Sequence, residues 1–304
     1  MIDLLIDILV DNLLLLPFLF PTYLVLEAIE AHAGGALERT LGRARRWGPL
    51  AGALSGAVPQ CGFSAAAASL YAGGVVTAGT LVAVFLSTSD ELIPVLVSKS
   101  VPLGLMVKIV GLKVAFGLMA GLMVDAFLRA RGARAPAPHV EDLCAHSRCG
   151  CTEHKGIVVP ALIHTAEIFF FILIVSGIIE IALHFAGEDV LKSFVLNKPV
   201  VGELLAGVAG MVPNCAVSVA FAQLYVDGGM SAGALMAGSL AGSGLGLLVL
   251  FRTHRRLKDN LLNLAAVYLF GVVFGHLAGY LFRWTRPDTS PASCVRRLWP
   301  LCQS

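Results

Sequence analysis

Charge is scarce in this chain. Of its 304 residues 14% are charged while 57% are hydrophobic, and the mean hydropathy is +0.82. A chain with so few charges cannot cover itself in polar surface, which excludes an ordinary soluble domain. The net charge of +2 leaves no basic footprint for nucleic acid. No Walker lysine loop, nucleophile elbow or His-Glu-x-x-His occurs. ATP hydrolysis and soluble-type catalysis therefore have no support; we expect no enzyme and no cofactor, any metal being cargo. Cysteine is sparse and scattered: Cys61 and Cys215 lie inside apolar segments, Cys144, Cys149 and Cys151 in one polar loop, and Cys294 and Cys302 in the tail. An odd set of seven spread in this way is no disulfide framework. Basic residues are missing from the first eleven positions, which carry Asp3, Asp7 and Asp11, so the N-terminus does not resemble a cleaved signal and is expected to be retained.

What is abundant is apolar length. Stretches of membrane-crossing size run over residues 13–31, 75–97, 103–128, 157–185, 231–251 and 261–283. Two further stretches, 49–72 and 200–226, are long enough to span, but Pro59 and Pro213 interrupt them among Gly and other small residues. Their crossing is left open.

Shifted by 154 residues without a gap, the chain matches itself. Gly56-x-Val58-Pro59-x-Cys61-x-x-Ser64 falls on Gly210-x-Val212-Pro213-x-Cys215-x-x-Ser218, Leu70-Tyr71 on Leu224-Tyr225, and Phe116-Gly117 on Phe270-Gly271. Pro, Cys and Tyr kept together indicate a duplication rather than generic apolar similarity. With a shift one residue shorter, Asp11 and Glu27 fall on His164 and Glu180. Basic loops centred on Arg39 to Arg46, Arg129 to Lys155 and Arg252 to Lys258 all reach the cytoplasm if the two Pro-broken segments enter and leave on one side. Each half then crosses an odd number of times and the halves are inverted. The basic tail with Arg283, Arg286, Arg296 and Arg297 opposes this arrangement. If the broken segments cross fully, the repeats are parallel. We prefer the inverted order: an all-α polytopic membrane protein of two inverted repeats, each with about three full transmembrane helices plus a Pro-broken or re-entrant segment, 8 to 10 helices in total. The first repeat covers residues 1–128, a polar connecting loop 129–156, the second repeat 157–285 and a tail 286–304.

Pro59 and Pro213 break their helices and free backbone carbonyls, which lipid tolerates only beside protein or a wet cavity. Transporters built from repeats place their sites at such breaks. Gln60, Cys61, Ser64, Asn214, Cys215 and Ser218 are therefore candidate substrate ligands; the alternative is a pair of kinks packed through small residues with buried thiols. Asp90 and Glu91 lie well inside an apolar stretch, where carboxylates are costly and usually functional. Their alternative is pairing with Lys108 or Lys113 to hold helices together. A second rank holds Glu27 and Glu30, Glu180, and the i,i+3 pair His164 and Glu167, as an ion path or as interfacial groups. In the connecting loop Cys144, His146, Cys149, Cys151 and His154 gather soft and borderline ligands for a thiophilic metal or metalloid, without a standard zinc-finger spacing. A flexible linker with incidental cysteines is the alternative.

The duplicated Val-Pro-x-Cys segments, the Ser87 to Glu91 stretch and the His/Cys-rich loop together resemble the ten-helix heavy-metal exporters, known variously as arsenic efflux proteins or manganese transporters, with a distant likeness to organoarsenical permeases. The resemblance spans about residues 1 to 285. It implies secondary export of a heavy metal or metalloid, an arsenic species or Mn²⁺, across the bacterial inner membrane by a multi-pass protein in the bilayer. The family's Pro-x-Cys motifs fall on Pro59, Gln60, Cys61, Pro213, Asn214 and Cys215, with Asp90 and Glu91 beside them. Ten helices follow if each broken segment counts as two short ones. A homo-oligomer is left open. The competing reading is a non-transporting metal sensor or assembly factor acting through the Cys/His loop.

Overall fold

A computed structural model of the chain describes residues 13, 16–17, 20–21, 23–24, 47–58, 61–89, 92–98, 101–132, 158–186, 200–213, 215–226, 229–254 and 256–284. Among these the regular structure is entirely α-helical. The helices of the first half are α1 (47–56), α2 (Cys61–Ala72), α3 (Ala78–Ser87), α4 (Leu92–Ser98) and α5 (Leu103–Ala130). The helix α6 (Val158–Ala186) leads into the second half, made of α7 (Val201–Gly210), α8 (Cys215–Val226), α9 (Ala232–Ala241), α10 (Gly246–Thr253) and α11 (Leu257–Trp284).

The duplication seen in sequence recurs in these bounds. Adding 154 to the limits of α1, α2, α3 and α5 reproduces those of α7, α8, α9 and α11, and α10 begins where the shifted α4 does. Even the caps repeat. Thr77 receives the Thr80 N–H at 3.1 Å to open α3, and Ser231 receives the Ala234 N–H at 3.1 Å to open α9. A hydroxyl at that position satisfies one of the orphan donors of the first helical turn.

Two segments expected as unbroken crossings, 75–97 and 231–251, are each split. In the first half α3 stops at Ser87 because hydroxyls compete for its last carbonyls: Ser87 Oγ donates to Ala83 O (2.7 Å) and Thr88 Oγ1 to Val84 O (2.7 Å). In the second half α9 stops at Ala241 by backbone geometry instead: Gly242 is extended, and Gly244 stands at φ +53°, where glycine carries no Cβ penalty. Four stretches among the described residues are long and apolar enough to span a bilayer: α5, the first 18 residues of α6, the run Ala232–Thr253, and α11 as far as Phe282.

Small residues let these helices approach closely. Gly79 of α3 and Gly121 of α5 meet backbone to backbone, and Gly275 of α11 lies against Ala237 of α9, where a Cβ would stand 2.5 Å from the Ala237 Cβ. Between the halves the packing is reciprocal: α2 lies on α10 and α8 on α4. The rings of Phe116 and Phe274 stack at 4.8 Å across α5 and α11. Outward, α5, α6 and α11 expose Val107, Leu122, Ile174, Ile178, Leu269 and Val273, an apolar surface that suits lipid.

Candidate functional site

The helix breaks of each half lie side by side. Gly56, the last residue of α1, packs against Ser87 and the Val84 carbonyl near the end of α3; the repeat-related Gly210 of α7 packs against the Gly238 carbonyl of α9. The middle of the long helix crosses at the same place, for Gly117 of α5 lies against Ala83 O (2.8 Å from its would-be Cβ) and Gly271 of α11 against Ala241 N (3.0 Å). The Pro break and the Ser/Gly break of each half are therefore neighbours, set in the middle of the helix layer.

Contacts between the halves bring the two sets of breaks together. Ser64, in the first turn of α2, is buried and touches Gly246, the first residue of α10; a Cβ there would stand 2.7 Å from the Ser64 Cβ and 2.8 Å from the Phe85 ring. The first turn carrying Cys61 thus starts beside the break of the opposite half. Ser218 and Pro213 are half-buried, and Cys215 opens α8, which packs on α4 just past the first half's break.

At the junction stands Lys113. It is 1% exposed in the middle of α5, and its ammonium donates to the carbonyl oxygens of Thr88 and of Ser239, the latter at 2.9 Å. Thr88 caps the C-terminus of α3, and Ser239 lies in the last turn of α9. Both carbonyls belong to the set that helix ends leave without an intrahelical partner, and both carry the negative end of a helix dipole. One ammonium therefore ties the C-terminal ends of two short helices from opposite halves.

The opposite ends of the same helices are held by carboxylates. Asp125, buried on α5, accepts the Gly79 N–H at 2.9 Å and the Thr77 hydroxyl at 2.9 Å, with Arg129 3.9 Å away. Beside the equivalent Gly233, the buried Glu203 of α7 lies against α9 and receives the His276 Nδ1 at 2.5 Å. The two acids are not repeat-related: Asp125 falls on Gly279, and Pro49 on Glu203. Different positions of the two halves supply the same charge to the same place, the N-terminus of a short helix, where a negative charge is favoured.

Of the other expected residues, His164 is buried in α6 and stacks on Tyr23 at 5.8 Å, whose hydroxyl meets Ser69 of α2 at 3.0 Å. Glu167 is exposed on the same helix, and Glu180 belongs to α6. Lys108 stands over the Phe282 ring at 4.8 Å. Pro59, Gln60, Asp90, Glu91, Asn214, Glu27, Glu30 and the loop ligands Cys144, His146, Cys149, Cys151 and His154 lie outside the described residues. Among the described residues no three His, Cys, Asp or Glu side chains gather into a metal site. Reasoning from sequence passed over Asp125, Glu203 and His276. The signal is weak: Asp125 and Glu203 stand near the ends of their apolar runs, where a polar side chain ordinarily meets the headgroups, and His276 is a single polar residue further inside its run.

A family described as "Putative, 10TM heavy-metal exporter" matches residues 2–198, more than half of the chain. The chain belongs to this family. No curated protein and no solved structure matches it. The matched region takes in the first half, the connecting loop and α6; the remaining helices α7 to α11 repeat the first half at a constant offset. Membership gives the broad class, a multi-pass membrane transporter with a heavy metal as the family's cargo and the bilayer as its surroundings.

Proposed function

We propose that the chain is a secondary exporter of a heavy-metal or metalloid ion in a bacterial inner membrane, and that the cargo passes between the two Pro-x-Cys helices where each abuts the other half. The observation that carries this reading is the reciprocal packing of α2 on α10 and α8 on α4, which sets the first turn of α2 beside the second half's break at Gly246 and lays the other Cys-led helix, α8, on the helix that follows the first half's break. Cys61 and Cys215 supply soft sulfur, Gln60 and Asn214 supply amide oxygen, Ser64 and Ser218 line the first turns, and Asp90 or Glu91 supplies charge to a cationic cargo. The cargo is a substrate and no resident cofactor is needed. The loop residues Cys144, His146, Cys149, Cys151 and His154 collect the ion on the cytoplasmic side. Broken helices suit this task because their ends offer partial charges that are already desolvated and fixed. The halves are inverted, a reading supported by the three basic loops, which then share one side of the membrane.

Ligand softness divides the cargo. Thiolates favour trivalent arsenic, whereas carboxylate, amide and carbonyl oxygens favour Mn²⁺. The two thiols at matching positions favour the arsenic species. In a metal-sensitive host the wild-type chain should raise survival and lower cell arsenic under arsenite or methylated arsenic. Cys61→Ser and Cys215→Ser, expressed at wild-type level, should each lose most of that protection. If Asp90→Asn abolishes protection while both serine variants still protect, sulfur is not the ligand and the Mn²⁺ reading takes its place.

A further inference from the structure

We propose that the carbonyl ends of α3 and α9 form an alkali-cation site that this chain fills from within, by the ammonium of Lys113. The wild-type protein then needs no Na⁺ or K⁺ at that point, and a chain lacking the ammonium acquires the requirement. The inference concerns the joint between the halves and goes beyond the cargo assignment.

Four observations converge on it. The ammonium is buried in the apolar interior, where a charged group is expensive and persists only when it is compensated. It donates to backbone carbonyls at the C-terminal ends of two helices, Thr88 O and Ser239 O. Each such end carries about half a negative charge, so the space between the two ends favours a cation. The repeat-related position on α11 is Val267, as deeply buried at 1% exposure, so one cation serves both halves. Finally, the carbonyls come from segments that stop being helical at this level, and unwound carbonyls with helix C-termini are the groups with which repeat-built transporters hold coupling cations. Lys113 differs from such an ion in being covalently tethered. It cannot leave, so the joint between α3 and α9 stays charged whatever the ionic composition outside.

The test reads stability and needs no knowledge of the cargo. Purified wild-type, Lys113→Arg, Lys113→Ala and Asp125→Asn proteins are heated in detergent with choline chloride, NaCl, KCl or n-propylammonium chloride at equal ionic strength. Wild type and Lys113→Arg should melt at the same temperature in every salt. Lys113→Ala should melt lower in choline and recover by several degrees in Na⁺, K⁺ or propylammonium, saturably, as linkage to one site requires. Asp125→Asn, weakened at the far end of α3, reports any general effect of salt on a weakened chain and should show no such recovery. Where Lys113→Ala is too unstable to purify in choline, it is extracted in each of the other salts. A Lys113→Ala protein recovered in none of them, or melting alike in all, overturns the proposal, as does a wild-type midpoint that rises saturably with Na⁺. Failure of arsenic or Mn²⁺ export leaves these outcomes untouched, so the two readings fail separately.

Discussion

At the level of single residues, several glycines act by what they lack. Gly79 has the Asp125 carboxylate and the Gly121 carbonyl where a methyl group would go, and Gly210 has the Gly238 carbonyl there. An added methyl must push backbone aside, a change that costs roughly 1 to 3 kcal/mol in a packed interior. Gly79→Ala and Gly210→Ala should therefore lower the melting temperature measured in detergent. Gly111 in the middle of α5 meets nothing within 4 Å. Gly111→Ala should leave stability unchanged or raise it by up to about 1 kcal/mol, the helix-propensity difference. Equal effects at Gly79, Gly210 and Gly111 would show that these close approaches do not matter. Asp125 makes a second residue-scale case. Two hydrogen bonds and an ion pair reach its carboxylate, so Asp125→Ala leaves the Gly79 N–H and the Thr77 hydroxyl without their acceptor. The expected loss is about 1 to 3 kcal/mol, with Asp125→Asn milder because one oxygen still accepts. Melting curves of the two variants against wild type check the order.

At the level of helices, the long ones and the Pro-broken ones were legible in the sequence; of the Ser/Gly breaks, the stretch from Ser239 to Gly246 reads as able to unwind, while the one after Ser87 was not legible. Hydropathy locates α5, α6 and α11 because each is a single apolar run, and proline marks the ends of α1 and α7 by its missing donor. The breaks after Ser87 and Ala241 escape that reading because Ser, Thr and Gly sit comfortably inside membrane helices and barely lower hydropathy. What ends α3 is where two hydroxyls point, which is a fact of geometry. The sequence offers Lys113 only as an alternative partner of Asp90 or Glu91; that it reaches Thr88 O and Ser239 O, which are backbone atoms, composition cannot reveal. Gly244 offers the test at this scale. Its φ of +53° strains any residue with a Cβ, so Gly244→Ala should destabilise the turn by about 1 kcal/mol. The readout is faster proteolysis or hydrogen exchange confined to residues 242–246. Protection unchanged there would mean that the turn does not depend on the left-handed glycine.

For the whole molecule, duplication organises everything else. A constant offset of 154 residues carries helix bounds, N-caps and close-approach glycines from one half to the other, while the charged groups depart from it: Lys113 falls on Val267, Asp125 on Gly279 and Pro49 on Glu203. The inverted order proposed above makes a topological prediction. A reporter fused after Gly132 should lie in the cytoplasm with the loops around Arg43 and Arg255; external placement would make the repeats parallel. The central claim is that cargo passes between Cys61 and Cys215 where the halves meet, and flux in proteoliposomes tests it most directly. Wild-type protein in vesicles loaded with arsenite, methylated arsenic, Mn²⁺ or Zn²⁺ should move an arsenic species at a rate that the Cys61→Ser/Cys215→Ser double variant loses, while that variant stays folded. Undiminished flux through the double variant, or a wild-type chain that moves none of these ions at either of two pH values, would contradict the account.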